Sequence, residues 1–202
     1  MKKTVALGPG RYEGFTGYVN FMGTEGYAEN ATFTIYREAG VMGWMNGTWN
    51  GIVKNGRWHG GVWSNGTFHG QWFGGTWMDG TWDDSDWYGG TWKNGLWKNG
   101  EWHGGTWENG TWEKGIWRGG DWRNGLWMCG LWNDGAWNDG TWVDGEWIKG
   151  DWHGGVWNNG TWLYGRWLGG KWLGGYIGDG FLAPRRWKKG RRPEKAKGAV
   201  AK

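Results

Sequence analysis

Gly105-Thr106-Trp107-Glu108-Asn109-Gly110-Thr111-Trp112 carries the pattern that decides the fold of this 202-residue chain. From Trp72 to Trp172 a tryptophan falls at every fifth residue, 21 in succession out of 26 in the chain. A glycine stands two residues before 20 of those 21, and Ser85 replaces it once. Repetition at a fixed short period marks a quasi-one-dimensional fold in which each unit leans on its neighbours. Five residues leave no room for a helix, so the expected fold class is all-β, built from tandem five-residue repeats.

Two architectures compete. In 16 of the 21 units Asn, Asp or Gly precedes the glycine position, as in Asn94-Gly95 and Asp134-Gly135. Asn-Gly and Asp-Gly favour the type I′ turn, which needs φ > 0 at both central residues. The pentad then reads as a three-residue strand and a two-residue turn, giving an elongated antiparallel meander or coiled β-ribbon. Trp107 would face Trp112, and every indole would share one side of the ribbon. The alternative is a β-solenoid of the pentapeptide-repeat type, which places a large apolar residue at the centre of each five. The ribbon is favoured because four indoles per coil are bulky for a close-packed core. Longer periods divide. Gly-Gly pairs recur every fifteen residues from Gly74 to Gly119, as three strands per turn of a coil would require. Leu96, Ile116, Leu126 and Ala136 instead share a ten-residue phase, as a meander would require.

Tryptophan suits so short a unit on energetic grounds. Ordering five residues costs roughly 7 kcal/mol, and burying about 200 Å² of one indole offsets roughly 5 kcal/mol. Leucine would offset about half as much. Stacking and the strand ladder supply the remainder, so only an array of units folds. Indoles that define the repeat are expected in the core rather than as stacking platforms for sugars or single strands.

The ends differ from this body. Residues 1–42 lack the pentad and read as an N-terminal β cap; residues 43–180 form the repeat domain, irregular over 43–71 and regular over 72–175. The pentad slips by one residue after Trp49, where Val53 takes the tryptophan position, and again between Phe68 and Trp72. Each slip should produce a bend or bulge. Residues 181–202 read as a basic flexible tail. Residues 185–202 carry nine basic side chains and one acid, Glu194, a net +8 against +4 for the whole chain. The remainder is therefore about −4. Arg185, Arg186, Lys188, Lys189, Arg191 and Arg192 are the candidate contacts to an anionic surface, nucleic acid or an acidic protein.

No catalytic motif is found. His59, His103 and His153 each follow a tryptophan, with no paired acid at metal-ligand spacing. Asp83, Asp84 and Asp86 crowd one irregular unit, but no calcium-loop signature accompanies them. Ser85 lacks the context of a nucleophile. Cys129 is the single cysteine, so a disulfide framework is excluded. No cofactor is expected. The apolar stretch Thr4–Leu7 stops at Gly8-Pro9-Gly10, short of a signal-peptide core, and no run approaches a membrane span.

Gly100-Glu101-Trp102-His103-Gly104-Gly105 resembles the first half of a MORN repeat, whose Gly-x-Trp-x-x-Gly strand opens a hairpin; the rest of that repeat is missing. The tandem Gly-Thr-Trp-x-Asn-Gly array over 43–180 resembles repeat-bearing structural proteins of tailed bacteriophages. These resemblances imply a scaffold, spacer or decoration in a virion or host cytoplasm, partnered by other structural proteins or by copies of itself. The expectation is thus a non-enzymatic structural protein, with an aromatic binding module for polysaccharide or nucleic acid as the alternative.

Overall fold

The computed structural model describes residues 4–21, 24–35, 42–178 and, as backbone, 185–186. All regular structure among them is strand. Five longer strands open the chain: β1 (Thr4–Ala6), β2 (Gly10–Phe21), β3 (Thr24–Ile35), β4 (Met42–Trp58) and β5 (Val62–Trp72). Two- and three-residue strands follow at five-residue intervals, from Thr76–Trp77 to Tyr176–Ile177.

Pairing within the array is parallel and joins residues fifteen apart. Trp107 pairs with Trp92 on one side and Trp122 on the other. The fold is therefore a β-solenoid of about nine turns, with three pentads per turn. The antiparallel ribbon is overturned: Trp107 and Trp112 lie on different faces, edge to face with centroids 6.0 Å apart. The objection to a solenoid assumed four indoles per coil, whereas three fit. Each stacks on its own copy in the next coil: Trp117 lies 4.8 Å from Trp102 and 4.8 Å from Trp132, with planes 5° and 8° apart. It meets Trp112 and Trp122 edge-on, at 73° and 75°. Both geometries suit the aromatic quadrupole. From Trp72 to Trp157 each indole of the array is 0 % exposed.

The corners differ from the expected turns. Positive φ falls on the glycine alone; among the described residues only Asn30 and Asp84 adopt it without being glycine. The residue before the glycine serves differently: Asn124 and Asp139, for example, accept the N–H of Gly125 and Gly140 on Oδ1 at 2.8 and 2.7 Å. The glycine is required because coils touch there. At Gly120, φ is 112° and an added Cβ would lie 2.5 Å from the Gly105 carbonyl oxygen. Ser85 escapes this constraint because the left-handed conformation moves to Asp84, at φ 47°. Its hydroxyl accepts the Gly70 N–H at 2.8 Å and donates to the Asp83 carbonyl at 3.1 Å.

At the N-terminal end, β2, β3 and β4 pair antiparallel, and β4 then pairs parallel with β5. Phe33 of β3 stacks on Trp44 at 5.3 Å and so starts the first indole column. Val53 and Phe68 occupy the third column before Trp82 and widen it step by step. Both pentad slips appear as register shifts in the β4–β5 pair, between Trp49 and Asn50 and between Val53 and Gly56.

Candidate functional site

With the indoles enclosed, chemistry is confined to the outer columns, where residues fifteen apart become neighbours. Let face A carry Trp72, Trp87 and Trp102, face B Trp77, Trp92 and Trp107, and face C Trp82, Trp97 and Trp112. Opposite charges recur at this spacing. Glu108 accepts from Lys93 at 2.7 Å and lies 3.4 Å from Arg123; Asp134 meets Lys149 at 2.9 Å; Asp151 meets Arg166. The Lys149 hydrogen bond holds the Asp134 carboxyl below the ordinary carboxylate value, and the Arg166 hydrogen bond does the same for Asp151. Arg166 is correspondingly held more firmly protonated. These ladders brace coil against coil, and no group of three or more metal-ligating side chains occurs among the described residues.

Face A carries a different column. His59, Phe73, Tyr88 and His103, each one residue after a tryptophan, stack in series with centroids 4.9, 5.1 and 4.6 Å apart and planes within 10°. Phe73 and Tyr88 are 40 % and 39 % exposed, and Met45 extends the apolar line at 48 %. His59 and His103, apparently unrelated in the linear sequence, belong to this one ladder. The missed signal was the spacing: Phe73, Tyr88 and His103 are fifteen apart. Each ring covers its neighbour's face, so the ladder presents ring edges to solvent.

The acidic cluster closes on itself: Asn99 donates to Asp84 at 2.8 Å, and Ser85 and Asp86 join the β-ladder of face A. Cys129 is exposed at a corner, its thiol donating to the Glu113 carbonyl at 3.2 Å.

At the C-terminal end the last coil puts Leu163, Leu168 and Leu173 after its three tryptophans, and Leu168 is 53 % exposed. The residues before Trp167 and Trp172 are Arg166 and Lys171. Of the six basic residues singled out from sequence, the backbone of Arg185 and Arg186 pairs antiparallel with Ile177 and Tyr176. Two-residue pairing there attaches the start of the basic segment to face A. Lys188, Lys189, Arg191 and Arg192 lie outside the described residues.

No helix among the described residues is long and apolar enough to cross a membrane. The chain matches no family model, no curated protein and no solved structure.

Proposed function

We propose that this chain is a non-enzymatic structural rod, a spacer or scaffold anchored by its basic C-terminal segment. The observation that carries the reading is the unbroken indole core. Two columns of rings start at Trp44 and Trp49 and the third, after Val53, at Phe68, and they continue to Trp162, Trp167 and Trp172, so the body is solid over about nine coils, or roughly 43 Å at the spacing of hydrogen-bonded strands. Such a core gives stiffness and length rather than a cleft. The charge division supports the anchoring role: residues 185–202 carry a net +8, while the remainder of the chain is net negative by about 4. The likeness of the repeat to structural proteins of tailed phages supports a virion as the setting of the proposed rod.

The binding-module alternative has one observation in its favour, the exposed ladder of face A. Stacking on sugars or bases uses ring faces, and here the ladder's rings cover one another's faces. The rod is therefore the better reading.

The test is truncation after Arg186, which retains the paired residues. The shortened chain should keep its thermal midpoint and its rod-like scattering profile but lose binding to an anionic surface, with double-stranded DNA and acidic virion proteins as the probes. Full-length binding should weaken steeply with salt if the partner is nucleic acid. A truncated chain that still attaches, with unchanged salt dependence, would move the anchor to residues 1–42.

A further inference from the structure

Face A holds two columns that nothing in the anchoring role uses. Before each tryptophan stand Arg57, Gln71, Asp86 and Glu101, in register from coil to coil. After each stand His59, Phe73, Tyr88 and His103, the stacked ladder. Beside the ladder runs a corner made wholly of glycine pairs: Gly74-Gly75, Gly89-Gly90, Gly104-Gly105 and Gly119-Gly120. The second glycine of each pair is needed for its positive φ; of the first glycines, Gly74 is crowded by the His59 carbonyl oxygen at 3.3 Å, but the other three are not. A Cβ at Gly89, Gly104 or Gly119 would meet only a carbonyl oxygen at 3.5, 3.8 or 4.0 Å, and none of the three has positive φ. The equivalent corner after face B carries Asn94, Asn109 and Asn124 without difficulty. Face A is thus an exposed apolar ladder bordered by a corner kept bare beyond what folding requires.

The geometry points to a second copy of this chain, packed side by side and antiparallel through face A of the coils between Trp44 and Trp117. Three features select that occupant. The first is spacing: the ladder repeats every 4.6–5.1 Å, and another copy repeats in step with it. An extended peptide along the rod, at about 3.3 Å per residue, falls out of step.

The second is charge complementarity. Place a two-fold axis in the contact plane, perpendicular to the rod, at the level midway between Phe73 and Tyr88. Arg57 then faces Glu101 of the second copy and Gln71 faces Asp86. Phe73 faces Tyr88, and His59 faces His103. Symmetry makes each pair twice, as an isologous interface requires. A parallel two-fold, running along the rod, would exchange the columns and set Asp86 against Tyr88 and Glu101 against His103, so only the antiparallel arrangement brings Arg57 to Glu101. Glu101 already accepts from Arg118 at 2.7 Å, and a carboxylate has lone pairs enough for both guanidinium groups.

The third is area. Six coils of one face offer about 450 Å² per copy, below the ~800 Å² per partner of a standard stable interface. That size suits a weak, reversible dimer rather than an obligate one, compatible with a chain that also exists as single rods.

Sedimentation velocity of the full-length chain from about 1 to about 300 µM tests this, with reversible association expected to set in within that range. Tyr88→Lys should abolish the dimer while the chain keeps its strand spectrum and cooperative melt, with only a small drop in thermal midpoint from the two ring stacks it loses. Arg57→Glu should raise Kd about tenfold or more, and Arg57→Glu with Glu101→Arg should restore it to near the parent value. A parent chain monomeric at the highest concentration overturns the proposal. So does a dimer indifferent to Tyr88→Lys. A double charge reversal no better than the single one refutes the antiparallel register.

Discussion

In the capping sheet the buried residues include Val19, Ala28, Ala31, Phe33 and Ile35, four residue types in five positions. In the coils beyond Trp72 every enclosed side chain of the array except Ser85 is tryptophan. Each residue of the cap meets a different set of neighbours, because β2, β3 and β4 cross-pair antiparallel with register shifts. Packing there is solved position by position, with whatever volume fits. A coil residue instead sits between two copies of itself, so the side chain must stack on its own kind at the strand spacing. Planar rings do this; branched aliphatics cannot fill the same triangle three to a coil. Between the two regions Val53, Phe68 and Trp82 form a graded step from one regime to the other. Repetition therefore narrows the permitted residue rather than relaxing it.

The largest expected effect breaks the coil regime at a corner. Gly119 and Gly120 are adjacent, yet Gly120→Ala should prevent cooperative folding of the array while Gly119→Ala should be neutral. At Gly120 the new Cβ has φ 112° and lies 2.5 Å from the Gly105 carbonyl oxygen; at Gly119 the nearest atom is 4.0 Å away. In the cap, Gly14→Ala meets no atom within 4 Å and only the strain of φ 57°, so it should cost about 1–2 kcal/mol. Circular dichroism melts of the three variants decide the matter. Equal melts for the two neighbouring glycines would mean that the coils do not touch at that corner.

Next in size is the core itself. Trp117→Ala should lose about 3–5 kcal/mol and promote aggregation, because flat rings above and below cannot collapse into the space. Val53→Ala, in the graded region, should lose about 1–2 kcal/mol. Urea unfolding of both variants measures the ratio. A similar loss at the two sites would show that the coil is no less forgiving than the cap.

The sequence made the all-β class, the five-residue repeat and the buried role of the indoles legible, since a period of five with one large residue leaves few other solutions. It did not make coil closure legible. Asn94-Gly95 is compatible with a hairpin turn and with a solenoid corner, and only φ distinguishes them. The fifteen-residue recurrence of Gly89 and Gly104 was the coil length in plain view, but the ten-residue phase of Leu96 and Ile116 competed with it. Those two residues fall on faces C and A, so their shared phase has no counterpart in space. The face A ladder is illegible in the linear sequence because His59 and His103 become rings of one column only once the coil length sets Phe73 and Tyr88 between them. The basic segment was legible as charge, whereas the pairing of Arg185–Arg186 with Tyr176–Ile177 has no sequence signature.

A finer comparison lies within the coils. Trp142 and Trp147 donate their indole N–H to the Asn159 and Tyr164 carbonyls at 3.1 Å. Trp117 and 18 other buried indoles have no partner for this group. An unpaired buried donor costs free energy that phenylalanine would not incur. Both Trp142→Phe and Trp117→Phe lose volume, but only the first loses a hydrogen bond. Trp117→Phe should therefore be the milder by about 1 kcal/mol. Chemical denaturation of the pair checks this; equal losses would mean that the Trp117 N–H also finds a partner.

The smallest effect concerns the outer ladders, which brace the coils and not the cap. Asp134 accepts from Lys149, and its carboxyl is held below the ordinary value of 3.8, chiefly by that hydrogen bond. A carboxyl with a lowered folded-state pKa contributes stability that is fully present above the ordinary value and disappears as pH falls through the lowered one. The pair is about half exposed, so solvent screening limits its contribution to a few tenths of a kcal/mol. Asp134→Asn should accordingly sit slightly below the parent in thermal midpoint at neutral pH, with the gap closing well below pH 3.8. Added salt should shrink the same gap at neutral pH, because the pair lies in solvent. A difference that persists unchanged into strong acid would assign the effect to packing of the carboxamide at the corner, and coil bracing would then rest on the indoles and the backbone ladder alone.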